Sequence, residues 1–292
     1  MKQGLKLFLT LGIIFIVIGI VTVSVTAIVG ASRGDMDFFS YFEDIGYYRY
    51  TEVGSAEARS LSVNPDTRDI AIDLIDESLE IVRGGSEYRL DYFERFNNQY
   101  RYRNEDGRLV FSRRENPRGW FGFTWKWFGS RDVYDRVTLY VPDDVTLKRL
   151  VAEGISGNIT VRGIDVSDIC GVETVSGNIY VDDGDFSELK TETISGNIHI
   201  ESCDVSKLKT ETVSGNVDGR KLDVGGDIHA GTVSGDTKLE LSRALSEYRI
   251  DMESVSGYMR INGEKRGRSF GSGTNRIYGN SVSGNLEITA RD

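Results

Sequence analysis

Short runs of alternating hydrophobic and polar residues fill most of this chain, and from about residue 150 one run recurs seven times. Each copy has Ile or Val, then Ser-Gly, and usually Asn. The Ser-Gly pairs are Ser156-Gly157, Ser176-Gly177, Ser195-Gly196, Ser214-Gly215, Ser234-Gly235, Ser256-Gly257 and Ser283-Gly284. The serines are 20, 19, 19, 20, 22 and 27 residues apart. A period near twenty is typical of one structural unit stacked on its neighbours. The pattern predicts an all-β fold, a parallel β-solenoid similar to a β-helix, over residues 151–292.

The alternation within one copy predicts which side chains face the core. Side chains of a strand point alternately to its two faces, so Ile198 and Ile200 should both face inward. In the strand before the Ser-Gly pair, Leu189 and the two threonines that follow it should also face inward. This places Lys190 and Glu192 on the solvent side.

Stacking would place equivalent aliphatic residues about 4.8 Å apart in one continuous core. We expect the copies to stack in sequence order, with residues 286–289 closing one end. Residues 57–150 hold further short runs of alternating hydrophobic residues, separated by Gly-Gly and Asp-Gly turns. They predict a β-rich N-terminal cap region for the other end.

The N-terminus predicts a membrane anchor. Residues 7–29 carry no charge, and at about 1.5 Å per residue they would span about 34 Å, enough to cross a bilayer core. Lys2 and Lys6 precede the run, which predicts a cytoplasmic tail at 1–6 and an extracellular C-terminal domain. Residues 30–56 would form a juxtamembrane stalk. The alternative is a cleaved secretion signal, but its apolar run would normally be shorter.

Charge and cysteine content narrow the function classes. The formal net charge is −10, and residues 151–292 hold 23 Asp and Glu against 15 Lys and Arg. A nucleic-acid partner needs a basic surface and is therefore not expected. The two cysteines, Cys170 and Cys203, lie at different offsets of the repeat, so we expect no disulfide between them.

No motif of the repeats predicts catalysis, a metal site or a cofactor. The Ser-Gly pairs lack the Gly-x-Ser-x-Gly pattern of a nucleophile elbow, and their number favours a role in backbone turns. Five glutamates share one repeat offset: Glu153, Glu173, Glu192, Glu211 and Glu253. Calcium needs six to eight oxygens that converge on one point. We therefore interpret the column as a solvated charge ladder, offset by Lys190 and Lys209. Two isolated histidines, His199 and His229, should point to solvent and do not predict zinc.

The most distinctive segment outside the repeats is aromatic. It contains Trp120, Phe121, Phe123, Trp125, Trp127 and Phe128. Such residues could bind glycan rings or lie at a lipid interface. The alternative is that they pack on the first coil as a cap.

The order of these elements carries a family resemblance. Leu109-Val110-Phe111, the strand from Arg136 to Pro142 and the seven Ser-Gly triplets resemble the bacterial β-strand-repeat family of adhesin-like proteins of unknown function, which includes LiaG-like membrane proteins. The resemblance implies an extracytoplasmic, right-handed β-solenoid behind one membrane helix. It carries over no catalytic residues, and the aromatic insertion at 117–131 departs from the family pattern.

We therefore expect a non-catalytic, single-pass protein of the cell membrane with an adhesion-like or envelope-stress role. Its partner would be the membrane together with a cell-wall polymer or an envelope membrane protein. Two alternatives stay open. One is an enzyme that acts on cell-wall polysaccharide, since parallel β-helices host such enzymes and these need paired carboxylates or a metal. The other is a lipid-interface or glycan-binding module that uses the aromatic segment.

Overall fold

The computed structural model describes residues 56–94, 99–113 and 136–291, and most of them belong to β-strands. The first eight strands are β1 (Glu57–Ser62), β2 (Asp69–Asp73), β3 (Ser78–Arg83), β4 (Arg89–Glu94), β5 (Tyr100–Glu105), β6 (Arg108–Arg113), β7 (Arg136–Val141) and β8 (Leu147–Gly154). The next seven are β9 (Ile159–Arg162), β10 (Val166–Thr174), β11 (Ile179–Ser195), β12 (Ile198–Ser214), β13 (Val217–Val224), β14 (Ile228–Ser234) and β15 (Thr237–Ala244). The last six are β16 (Tyr248–Ser256), β17 (Met259–Ile261), β18 (Glu264–Arg266), β19 (Ser269–Phe270), β20 (Asn275–Ser283) and β21 (Leu286–Arg291). A single 3-10 turn, Leu245–Glu247, joins β15 to β16.

The strands form two ladders that share an interior. Ladder A has the order β1–β4–β7–β3–β9–β11–β12–β13–β15–β21–β17–β18. Ladder B has the order β5–β6–β2–β8–β10–β11–β12–β14–β20–β16–β19. The long strands β11 and β12 pass from ladder A into ladder B. We call one ladder B segment, its turn and the following ladder A segment a rung.

Neighbouring rungs pair in parallel and in register, so equivalent residues of the repeats stack on one another. Ile179, Ile198 and Val217 form one such inner column, and all three are buried. The predicted inward orientation of Leu189, Ile198 and Ile200 is confirmed, since none is more than 1% exposed. Burying one aliphatic side chain stabilises the fold by roughly 1.5–3 kcal/mol. Because adjacent rungs cover each other, that stabilisation depends on stacking.

The seven repeats do not stack in sequence order. β20 lies between β14 and β16, and β21 lies between β15 and β17. The expectation that residues 286–289 close the stack is therefore wrong, because their rung has a neighbour on each side. All repeats offer the same backbone ladder and the same inward pattern, so a later copy can pair between two earlier ones. The longer steps of 22 and 27 residues supply the chain for this path.

The opposite end of the stack is interleaved in the same way. β2 pairs with both β6 and β8, and β3 pairs with both β7 and β9. The parallel stack therefore begins within residues 57–150, before the first Ser-Gly triplet. Each ladder ends on antiparallel strands, which are β1, β4 and β5 at one end and β18 and β19 at the other. Short or charged edge strands of this kind disfavour pairing with other chains.

The membrane anchor at 7–29 and the tail at 1–6 lie outside the described residues, as does the stalk apart from residue 56. Within the described ranges, no helix has the length and apolar character needed to cross a bilayer.

The buried hydroxyls of two threonines lead to a prediction about the stability of the fold. The hydroxyls of Thr191 and Thr210 are fully buried, and among the described residues neither has a hydrogen-bond partner. Val172 occupies the same column one rung earlier. We expect Thr191→Val and Thr210→Val each to raise the free energy of unfolding by about 1 kcal/mol. Urea denaturation measures the change.

Thr193 supplies the matched control for this prediction. Its hydroxyl is also buried, but it donates a hydrogen bond to the carbonyl oxygen of Gly177 at 3.2 Å. Thr193→Val should therefore lower the free energy of unfolding by about 1 kcal/mol. Equal effects at Thr191 and Thr193 would show that the missing partner does not matter.

Candidate functional site

The Ser-Gly turns form columns along the edge where ladder B passes into ladder A. The serines are all exposed: Ser156, Ser176, Ser195, Ser214, Ser234, Ser256 and Ser283. The asparagines that follow bind the backbone of the adjacent rung. Oδ1 of Asn158 accepts the Asn178 N–H at 3.0 Å, and Oδ1 of Asn178 accepts the Asn197 N–H at 2.9 Å. The column continues through Asp236 and Asn285 in the spatial order of the rungs. Each of these side chains accepts a hydrogen bond from a backbone N–H of the adjacent turn.

The glycines of the turns lie directly against one another. A Cβ atom added to Gly196 would lie 1.9 Å from the carbonyl oxygen of Gly177, and one added to Gly177 would lie 2.1 Å from that of Gly157. The other members of this column show the same contact at 1.7–1.9 Å: Gly215, Gly235, Gly257 and Gly284. The turns therefore require glycine because the backbones of neighbouring rungs approach this closely.

The glutamate column that we expected to be solvated is partly buried. Glu173 and Glu192 are only 5% and 1% exposed, so the expectation is wrong for both, and Lys190 beside them is buried as well. Lys190 Nζ lies 3.2 Å from a carboxylate oxygen of each glutamate. Lys209 Nζ lies 2.8 Å from Glu192 and also 2.8 Å from Glu211. Charges can be buried at moderate cost when they are paired in this way. Strand alternation thus predicts that these side chains lie on the outer face of the strand. It does not predict that the paired side chains cover one another there.

Two of the repeats interrupt the glutamate column because they carry another residue at this offset. Gly231 and Asn280 occupy the two rungs between Glu211 and Glu253. His229, next to this break, is not free in solvent, because its Nε2 lies 2.9 Å from Oε1 of Glu211. His199 is in ladder A, stacked on Tyr180 with ring centroids 5.1 Å apart. The two histidines therefore belong to different surfaces.

The contacts of Glu211 predict that the stability of the fold depends on pH. Burial alone would raise its pKa, but hydrogen bonds from His229 and Lys209 lower the pKa to about 2. A lowered carboxyl pKa stabilises the fold above the ordinary value near 4.5, and this stabilisation is lost as pH falls through 2. We expect Glu211→Gln to cost roughly 3 kcal/mol at pH 7 and almost nothing at pH 2. Urea titrations of both proteins across this range measure the difference.

Glu188 offers a control for that experiment. It pairs with Lys207 at 3.2 Å, but Lys207 is 59% exposed and Glu188 is 34% exposed. Glu188→Gln should cost less than about 1 kcal/mol at any pH. A Glu211→Gln deficit that stayed constant down to pH 2 would contradict the assigned hydrogen-bond network.

A second acidic column follows the corner after ladder A. Asp165, Asp185 and Asp204 stack on one another, and Asp223 extends the column. Arg83 Nη2 contacts Asp165 at 2.7 Å at one end. At the other end Arg243 forms an ion pair with Asp223. In the described part of the chain, no group of three or more His, Cys, Asp or Glu residues is placed to hold a metal ion. The column is therefore a charge ladder paired at both ends.

The centre of this aspartate column should be electrostatically strained. Burial, and then the charges of Asp204 and Asp165, raise the pKa of Asp185. A raised carboxyl pKa means that the fold loses stability as pH rises through that value. We expect Asp185→Asn to stabilise the protein at pH 7 by less than about 1 kcal/mol, and to do so most at low salt. The difference in thermal midpoint between Asp185→Asn and the unaltered protein should be smaller at 500 mM than at 20 mM NaCl. A difference that does not depend on salt would argue against repulsion.

A groove lies on the cap strands at the end of ladder A. It encloses about 500 Å³ between β1, β4 and β7, and its walls include Arg59, Ser60, Asp91, Arg136, Thr138 and Tyr140. Asp91 is its one carboxylate among the described residues. Its Oδ1 accepts a hydrogen bond from Ser60 at 2.7 Å, and its Oδ2 accepts one from Arg89 at 3.1 Å. The described residues of the groove therefore supply one carboxylate, whereas a glycoside hydrolase uses a pair.

Sequence reasoning did not single out these groove residues. They come from three strands that are distant along the chain, and antiparallel pairing aligns Ser60 with Asp91 and Asp91 with Thr138. No local motif marks them. The aromatic candidate surface that sequence analysis did identify, Trp120 to Phe128, lies outside the described residues.

Comparison with known proteins identifies the family. Residues 67–291 match Toastrack DUF4097, whereas no curated protein matches the chain. A putative adhesin of Bacteroides fragilis is 13% identical, with a TM-score of 0.50 over 81% of this chain and 98% of that one. A putative lipid binding protein of Parabacteroides distasonis is 14% identical, with a TM-score of 0.45 over 82% of this chain and 98% of that one. At 13% identity the likeness to the first of these structures shows the fold alone. Since the family match spans residues 67–291, most of the sequence, the chain belongs to the Toastrack DUF4097 family.

Proposed function

We propose that this protein is a non-catalytic, adhesin-like binding module of the cell envelope. Its solenoid would be exported and held at the membrane by residues 7–29, and the cap groove would be its binding surface. The observation that carries the proposal is the groove of about 500 Å³, whose charged walls are held in place by neighbouring side chains. A site that is already ordered loses little freedom when a ligand binds.

The structural role of the ionisable groups supports a binding function over catalysis. An active site needs accessible groups with shifted pKa values. Burial raises the pKa of Glu173, but that side chain is covered and paired with Lys190. Burial likewise raises the pKa of Cys203 to about 12, which keeps this thiol protonated and unreactive at neutral pH.

Crosslinking in the native envelope tests the proposal. The full-length chain, expressed in bacterial membranes, should capture cell-wall polymer or an envelope membrane protein after crosslinking and detergent extraction. Mass spectrometry distinguishes the two, and a membrane-protein partner would favour a role in an envelope-stress complex. Recovery of neither from protein with intact far-UV circular dichroism would count heavily against a binding module.

The enzyme hypothesis predicts a different result. If the groove degraded polysaccharide, Asp91→Asn would abolish release of soluble sugar from purified cell walls. We expect no release by either protein.

A further inference from the structure

We propose that the cap groove binds a polyhydroxylated polymer that carries phosphate or carboxylate groups, and that Arg136 contacts the anionic group. This inference rests on the proposed function and names the ligand class of the same groove. It follows from the hydrogen-bonding state of the charged residues that line the groove, from the rigidity of its walls, and from the distribution of charge along the chain.

The charged residues of the groove differ in how fully they are paired. Arg59 contacts Glu57 at 2.8 Å and Glu94 at 3.4 Å. Asp91 is neutralised by a hydrogen bond from Arg89. Arg136, in contrast, approaches only Glu80 among the described residues, at 3.6 Å, which is too long for a hydrogen bond.

Among the described residues that line the groove, Arg136 is therefore the cation whose N–H donors make no hydrogen bond. Its side chain is 63% exposed. A guanidinium presents several N–H donors in a planar fork that matches the oxygens of a carboxylate or phosphate. A ligand with such a group could hydrogen-bond to Arg136 without breaking a hydrogen bond to another described residue, and it would share the guanidinium with Glu80.

The remaining walls suit the hydroxyl-rich part of a polymer. The outward face offers the exposed hydroxyl of Ser60 beside the ring of Tyr140, whereas Thr138 in the same wall is only 8% exposed. Tyr140 is held between Gly84, where an added Cβ atom would lie 2.6 Å from the tyrosine Cβ, and the guanidinium of Arg89, 4.3 Å from the ring centroid. This ring is therefore fixed as a wall of the groove, and its position does not have to be ordered by the ligand.

The charge distribution would direct an anionic polymer to the cap. Residues 57–150 carry 16 Lys and Arg against 17 Asp and Glu, so their net charge is close to zero. Residues 151–292 carry 15 against 23, a net charge of −8. The net negative charge of the repeats disfavours the approach of polyanions, whereas residues 57–150 add little net charge. An anionic chain can therefore approach the protein at the groove more readily than at the repeats.

The test is a binding measurement with defined polymers. Full-length protein in detergent is titrated with poly(glycerol phosphate) and with a polyuronate, and uncharged dextran serves as the comparator. These two anionic probes distinguish phosphate from carboxylate as the recognised group. We expect binding to at least one of them, and a loss of at least about tenfold in affinity for Arg136→Gln. Raising the salt concentration should weaken binding of the unaltered protein more than binding of the variant.

Arg162→Gln is the matched control. Arg162 is another exposed arginine of ladder A, 57% exposed and 3.4 Å from Asp182, but it lies outside the groove. The Arg162→Gln substitution should change the affinity for the anionic polymers by less than about twofold. Equal losses for the two variants, or equal binding of dextran and the polyanions, would overturn the inference. Equally strong Arg136-dependent binding to phosphatidylglycerol vesicles would overturn the polymer part of it.

These experiments distinguish failure of the inference about Arg136 from failure of the proposed function. If crosslinking captures wall polymer equally well with Arg136→Gln, the binding module stands and the assignment of Arg136 fails. If nothing is captured and no polymer binds, both fail. Thermal midpoints of the two variants show whether each has folded, because both substitutions lie on exposed strand faces and should change the midpoint little.

Discussion

Replacing Gly196 with alanine is expected to destabilise the protein by at least about 3 kcal/mol, or to prevent its folding. The added methyl carbon would lie 1.9 Å from the carbonyl oxygen of Gly177, which belongs to the backbone and cannot rotate away. The parallel strand pairs before and after this turn, β10–β11 and β11–β12, hold Gly177 and Gly196 in register. Local expansion at one turn would therefore strain the ladders above and below it.

Gly171→Ala provides the control for this substitution. Gly171 lies within strand β10 of ladder B and not in a turn. A Cβ atom at this position would meet nothing within 4 Å, and its backbone is not left-handed. It should fold with nearly unchanged stability, or with slightly increased stability because alanine restricts the unfolded chain. Urea midpoints of the two variants measure the contrast. Similar midpoints would refute the claim that close approach of backbones, and not flexibility, selects glycine in the turns.

The core of this fold was predictable from sequence because alternation and period are local signals. The inward positions of Leu189, Ile198 and Ile200 follow from parity along one repeat, and the structure confirms them. The order of the rungs, in contrast, could not be predicted, because the repeats are too similar to one another. Every repeat presents the same backbone ladder and the same turn, so nothing in Val282-Ser283-Gly284 specifies which two copies it will separate.

The burial of charged side chains could not be predicted from the sequence, for a different reason. Parity places Lys190 and Glu192 on the outer face of their strand, but the depth of that face depends on how neighbouring side chains pair across rungs. The groove was also hidden, since Ser60, Asp91 and Thr138 meet only through antiparallel pairing of distant strands. A site that depends on tertiary register leaves no motif in one sequence.

Deleting residues 275–292 is expected to unfold much more of the protein than the residues removed. β20 and β21 supply all the parallel partners of β16 and β17. They also cover β14 and β15 on the other side. The deletion removes the buried side chains of Ile277, Leu286 and Ile288, each worth about 2–5 kcal/mol. This loss is comparable to the whole stability of a typical domain, and we expect residues 248–270 to detach with the deleted segment.

Hydrogen–deuterium exchange measures how far the disruption spreads. In the deletion variant, amides of β16 and β17 should lose protection, whereas those of β11 and β12 should keep most of it, because rung stabilities in a stacked repeat are nearest-neighbour quantities. Deletion of the edge strand β1 is the control. It pairs only with β4 among the described residues, so its loss should change exchange only there. If β16 instead keeps its protection, Val255-Ser256-Gly257 has taken the vacated place on β14. The interleaved order would then be one of two nearly equal arrangements, and the inserted rung would not be what fixes the end of the stack.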